Sequence, residues 1–156
     1  MASRTALHRA EGRLREALSD GEATIETART LGIAFQAVKW GIVESLEAAL
    51  ALGESEKVEE LLTTIESVPP GSRPPYLDAQ ARRFRARLAG DAAGFRAAAA
   101  RFRELGVPFW LGVTLLEARE EPGLTEAREI FERLGAAPWL ERVLAAAAQL
   151  QPHAPA

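Results

Sequence analysis

One phrase, repeated along the chain, constrains this sequence more than anything else in it. Thr27 to Val38 reads TARTLGIAFQAV, Phe102 to Leu116 reads FRELGVPFWLGVTLL, and Ile130 to Val143 reads IFERLGAAPWLERV. Each is the end of an amphipathic helix, a Leu-Gly pair that turns the chain, and an aromatic residue near the next helix start. The spacing is regular. Gly53 and Gly90, inside helix pairs, lie 37 residues apart, and the breaks between pairs at Gly32, Pro69 and Gly106 are 37 and 37 apart, with 29 more to Gly135. A hairpin of two helices has an apolar face it cannot bury alone, so repeated hairpins stack and bury those faces against their neighbours. The expected fold is therefore all-α, a right-handed α-α superhelix of about four helical hairpins plus a C-terminal capping helix.

Apolar spacing places the helices. The first runs over Ser3 to Leu18 with Leu7, Ala10, Leu14, Ala17 and Leu18 in register, and Asp20-Gly21 is expected to break it. Glu22 to Leu31 follows, with Ile25, Ala28 and Leu31 on one face, and then Ala34 to Leu52, striped by Phe35, Val38, Ile42, Leu46 and Ala49. Ser55 is expected to cap a helix carrying Val58, Leu61, Leu62, Ile65 and Val68, which PPGSRPP terminates as a loop within the domain. The third pair is Tyr76 to Ala89 (Leu77, Ala81, Phe84, Leu88) and Ala92 to Leu105 (Phe95, Ala98, Phe102, Leu105), joined through Gly90-Asp91. Phe109 to Glu120, a break at Glu121-Pro122-Gly123, and Leu124 to Leu134 make the fourth, and Pro138 opens the final helix, Trp139 to Leu150. No stretch alternates with period two, so no strands are expected. Residues 1–150 read as a single repeat domain and 151–156 as a frayed tail.

A length of 156 residues with 47% hydrophobic and 26% charged composition suits one globular core. There is no cysteine, which excludes disulfides and thiolate metal sites. The N-terminus lacks the apolar core of a signal peptide and no apolar run is long enough for a membrane span, so a cytoplasmic location is expected. Charge is uneven. Glu44 to Glu66 holds seven acids against Lys57, Arg73 to Arg103 holds eight arginines against Asp78 and Asp91, and Glu104 to Arg142 holds eight acids against four arginines.

The paired helices and their period resemble tetratricopeptide repeats, in the looser TPR-like form. Ala28, Ile65, Phe102 and Phe131 fall where that family prefers alanine, and three of the four depart from it. More specifically, PFWLGVTLLEAR and LTEAREIFERLGAAPWLERV resemble the C-terminal helical repeats of large bacterial signalling ATPases, of the kind fused to adenylate or guanylate cyclase domains or to LuxR-type regulators. The resemblance spans Arg103 to Val143; in those proteins the helix after the PFW-like start is longer, whereas REEPGL cuts it short here. No GxxxxGK[ST] phosphate loop occurs in this chain. The resemblance implies a non-catalytic sensor or scaffold arm that binds a protein or peptide.

The chemistry-bearing residues point the same way. His8 and His153, three aspartates, one tyrosine and no asparagine leave few general bases, nucleophiles or metal ligands, so neither catalytic residues nor a cofactor are assigned. Glu117, Glu120 and Glu121 form an acidic cluster read as a solvated helix end rather than a cation site. The alternative function is DNA binding: Ile25 to Ile42 imitates a helix-turn-helix, with Gln36 and Lys39 placed to reach base edges, although the repeat already explains the phrase and Glu44, Glu47 and Glu54 would repel phosphates. Phe84, Phe95, Phe102 and Phe131 are expected in the core. Trp40 and Trp110 either pack between repeats or line a groove, and Trp110 and Thr114 are partner-binding candidates on the helix after Pro108. Arg82 and Arg85, off the Leu77, Ala81, Phe84, Leu88 stripe, either project into a groove toward an acidic partner or pair with neighbouring glutamates.

Overall fold

The computed structural model describes residues 2–150, without the side chains of Ala2, Ser3, Ala28, Arg29 and Leu31. The tail expected over 151–156, and the places of Ala28 and Leu31 on their apolar stripe, lie outside the described residues. Among the described residues there are nine helices and no strand: α1 (Ala2–Ala10), α2 (Leu14–Leu31), α3 (Gln36–Leu52), α4 (Ser55–Glu66), α5 (Pro75–Ala89), α6 (Ala92–Glu104), α7 (Pro108–Ala118), α8 (Glu121–Leu134) and α9 (Ala137–Leu150). The chain divides into two compact units, Met1–Ala81 and Arg82–Ala156, the division falling within α5.

In the first unit α3 is the central helix, packed against α1, α2 and α4. The break expected at Asp20-Gly21 is absent; α2 runs straight through it, and the chain turns instead at Gly12. Gly12 has φ 75°, and the bonds Gly12 N–H to Arg9 O (3.1 Å) and Arg13 N–H to His8 O (2.8 Å) close α1 with the left-handed ending that glycine favours. Gly21 serves a different purpose. A Cβ there would lie 1.6 Å from Ser45 Oγ, and one on Gly41 would lie 2.3 Å from Thr24 Cγ2, so each helix offers a glycine to the other's hydroxyl residue and the backbones approach closely. Both hydroxyls are satisfied within their own helices, Thr24 Oγ1 donating to Asp20 O (2.9 Å) and Ser45 Oγ to Gly41 O (2.7 Å). Val38, Ile42, Leu46 and Ala49 of α3 and Val58, Leu61, Leu62 and Ile65 of α4 are buried as the spacing predicts, whereas Phe35, expected on the same stripe, precedes the first turn of α3 and is exposed.

Ser55 does not cap α4. It is the first helical residue, the cap position belongs to Glu54, and no side chain bonds the helix start. At the other end Arg73 secures the PPGSRPP loop. It donates to the carbonyls of Glu66 (2.8 Å) and Val68 (3.2 Å), which the helix end leaves without partners, and to Asp78 Oδ1 (2.8 Å) in the first turn of α5.

In the second unit α7 packs on α6, α8 and α9, and α9 packs also on α8. Asp91 caps α6 by accepting from Ala93 N–H (2.9 Å), as its place after Gly90 predicts. Glu121-Pro122-Gly123 is not a break but the first turn of α8, where the N–H that proline lacks would have had no partner. The turn is made one step earlier by Arg119, at φ 52° the one non-glycine residue with positive φ among those described. Phe95, Ala98, Phe102, Leu124, Ala127, Ile130 and Phe131 are buried, whereas Leu88 and Leu134, expected on apolar stripes, are 39% and 43% exposed.

Candidate functional site

The second unit is organised by an aromatic seam that begins where α7 begins. Pro108 fixes the first turn of α7 and places Phe109 and Trp110 side by side. Phe109 meets Trp110, Phe131 and Trp139 edge-on, with ring centroids 5.3, 6.1 and 5.4 Å apart, and Phe131 stacks on Trp139 at 5.7 Å. At the two ends of this seam lie guanidinium groups, Arg83 at 4.8 Å over Trp110 and Arg142 at 4.5 Å over Trp139.

Arg83 is only 1% exposed, which is extreme for an arginine. Its charge is matched by Glu117: Nε donates to Oε2 and Nη2 to Oε1, both at 2.6 Å, and Arg87 Nη1 adds a third bond to Oε1 at 3.0 Å. Phe84 covers the guanidinium at 4.9 Å. A carboxylate held in this way is the counter-ion of the buried guanidinium. The remaining members of the expected acidic cluster are separated from it in role. Glu120 accepts from Arg96 (2.6 Å), and among the described residues no group of His, Cys, Asp and Glu side chains is arranged to hold a metal ion.

The arginine-rich stretch is largely consumed in this way. Arg96 and Arg103, on α6, bond Glu120 and Glu126, Arg101 bonds Glu104, and Arg73 bonds Asp78. Arg82 is exposed and Arg85 half-buried, and both are engaged with other groups of the protein. Trp110 is half-buried in the seam. Thr114, one turn on, is fully buried, and its hydroxyl donates to Trp110 O at 2.7 Å, so no approaching ligand can reach it. The residue that sequence reasoning passed over is Arg83. Its signal was available in Glu117, the only charged side chain in α7, a helix otherwise as apolar as PFWLGVTLL, where a lone charge demands a partner.

Gln36 and Lys39 lie in the first unit, on the opening turns of α3. Gln36 is exposed and Lys39 half-buried, next to Phe35 and Trp40, whose side chains are 51% and 50% exposed. Gly32, at φ 86°, turns the chain as the imitated helix-turn-helix requires, and Val38 is buried. From Gly41 to Leu50 the residues of α3 are buried or half-buried, and Ala51 near its end is exposed. Of the acids beyond it, Glu44 pairs with Arg9 and Glu54 with Arg15. A shallow open depression at the turn between α3 and α4 is lined by Gly53, Glu54, Ser55, Glu56, Lys57 and Glu60. Burial opposes the charge of Lys57, but hydrogen bonds to Glu22 and Glu60, each 2.9 Å, outweigh it and hold the ammonium above the ordinary lysine value.

No family model matches the chain, and neither the curated proteins nor the solved structures contain a match to it. Among the described residues no helix is long and apolar enough to cross a membrane.

Proposed function

We propose that this chain is a non-catalytic, TPR-like helical-repeat scaffold that binds a protein or peptide partner, its hairpins stacking into a superhelix. The observation that carries the reading is the pair of half-exposed aromatic side chains, Phe35 and Trp40, on the opening turns of α3 beside Gln36 and Lys39. An exposed tryptophan with a polar rim is the composition of a binding hot spot, and Trp40 and Phe35 stand in water while the other described aromatics are buried or half-buried. The packing of neighbouring helices supports the same reading, since stacked helical repeats create extended surfaces suited to binding. Because Arg83, Arg87, Arg96, Arg101 and Arg103 pair with the protein's own acids and Arg82 and Arg85 are also engaged within the protein, the reading rests on the aromatic surface and not on an acidic partner. The resemblance of Arg103 to Val143 to repeats of bacterial signalling ATPases suggests the interaction arm of a signalling or transcription-regulating system, which a neighbouring ATPase or cyclase reading frame would support.

The test is crosslinking capture with the wild-type chain and Trp40→Ala side by side. A partner lost from Trp40→Ala with melting temperature unchanged supports the reading; a partner set indifferent to Trp40 and Phe35 refutes it. A salt-dependent shift of duplex DNA that disappears in Gln36→Ala and Lys39→Ala would establish the DNA alternative in its place.

A further inference from the structure

The last described helix, α9, buries Val143 and Ala146 toward α7 and α8 and leaves its opposite face open. That face is informative because the chain contains a filled version of it. Aligning the Leu-Gly turns at Gly106 and Gly135 sets Leu111, Gly112 and Leu115 of α7 against Leu140, Glu141 and Leu144 of α9. On α7 this face is covered by α8: a Cβ on Gly112 would lie 2.8 Å from the Phe131 ring and 3.2 Å from Ile130, and Leu115 comes within 3.4 Å of where a Cβ of Gly123 would be. On α9 the equivalent residues have no such cover. Leu140 is half-buried, Glu141 exposed, and Leu144 47% exposed.

We propose that this face of α9 docks an amphipathic α-helix from a partner protein, lying over α9 on the side that α8 covers on α7 but standing farther off, because Glu141 carries a side chain where Gly112 has none, with a lysine or arginine facing Glu141. The inference rests on the reading of the chain as a protein-binding repeat and narrows it to one surface and one kind of partner. The apolar requirement comes from α8, which meets α7 through Ile130 and Phe131 of a helix whose Leu124, Ala127, Ile130 and Phe131 are all buried. The basic requirement comes from Glu141. It replaces Gly112 at the point of closest approach, and a carboxylate covered there must be given a countercharge. In a second copy of α9 the one basic residue, Arg142, already lies over its own Trp139 ring, so a partner helix with a dedicated lysine or arginine is the better match.

Two short fluorescent helical peptides with the same leucine stripe, one with lysines on its flanks and one with glutamates, provide the test by anisotropy. The leucine-lysine peptide is expected to bind and the leucine-glutamate peptide not to. Leu144→Asp should weaken binding at least roughly tenfold, as loss of a central apolar contact does, and Glu141→Lys should reverse the preference between peptides. Glu141→Lys, at an exposed position, should leave the melting temperature unchanged, and Leu144→Asp, whose side chain is 47% exposed, should lower it by no more than a few degrees. Lysine-peptide binding that survives both substitutions overturns the assignment to α9 while leaving the protein-binding reading to the Trp40 surface. Absence of binding by the wild-type chain overturns the assignment as well, and the broader reading then stands or falls on the Trp40→Ala comparison. Self-association in sedimentation that Leu144→Asp abolishes would make the occupant a second copy and would also overturn it.

Discussion

Removing Glu117 should be among the most damaging single changes that this surface-rich protein can suffer. In Glu117→Ala the guanidinium of Arg83, 1% exposed, loses both of its 2.6 Å bonds and stays buried with its charge. Breaking a buried ion pair costs about 3–5 kcal/mol. The Glu117 side chain is 17% exposed and the faces of Trp110 and Phe84 still shield the guanidinium, which places this case near the lower end, about 3 kcal/mol. For a chain of this size that is a fall in melting temperature of roughly 6–12 °C. The internal control is Arg103→Ala. Its pair with Glu126 has side chains 52% and 38% exposed and should be worth less than about 1 kcal/mol. Thermal and urea unfolding by circular dichroism measure both, and a double-mutant cycle with Arg83→Met and Glu117→Leu should show the two costs far from additive, with a coupling above about 1 kcal/mol. If Glu117→Ala melts within a degree or two of Arg103→Ala, or if the cycle is additive, the buried pair is not what holds this unit together.

Three further outcomes are expected. Gly21→Ala should destabilise by about 1–3 kcal/mol because its methyl meets Ser45; Gly21→Ala with Ser45→Gly should be no less stable than Ser45→Gly alone, and a double variant as weak as the sum would refute the close crossing. Arg119→Gly should stabilise by about 0.5–1 kcal/mol, since only glycine adopts φ 52° without cost, and a loss of stability would mean the bond from Arg119 to Gln149 outweighs the backbone. The hydrogen bonds from Arg4 hold the Asp20 carboxyl below its ordinary value, with burial opposing and the charges of Arg4 and His8 adding to the shift. A depressed folded value means this contribution is complete above about pH 3.9 and is lost as pH falls through the lower folded value. Asp20→Asn should therefore melt below the wild type near neutrality and converge with it near pH 2, and a gap that persists in acid would contradict the linkage.

The apolar spacing and the regular glycines determined by themselves that the chain is helical and where most of its helices end. Gly53, Gly90 and Gly135 all adopt the left-handed backbone their positions predict, because a helix end is a local event settled within a few residues. Gly12 and Gly21 show where local information stops. Both follow an acidic residue near an apolar stripe, yet one ends α1 and the other lies inside α2, and the difference is the Ser45 hydroxyl of another helix occupying the space a side chain would need. The same holds for the arginines. Sequence distinguishes Arg82, Arg83 and Arg85 by no more than a rotation around α5, and only folding, which brings Glu117 from thirty-four residues away, selects Arg83 to be buried. Likewise Leu124 and Leu144 are equally apolar on paper. One is buried and the other exposed because burial belongs to the neighbour that arrives, and no residue carries its neighbour in its own spacing.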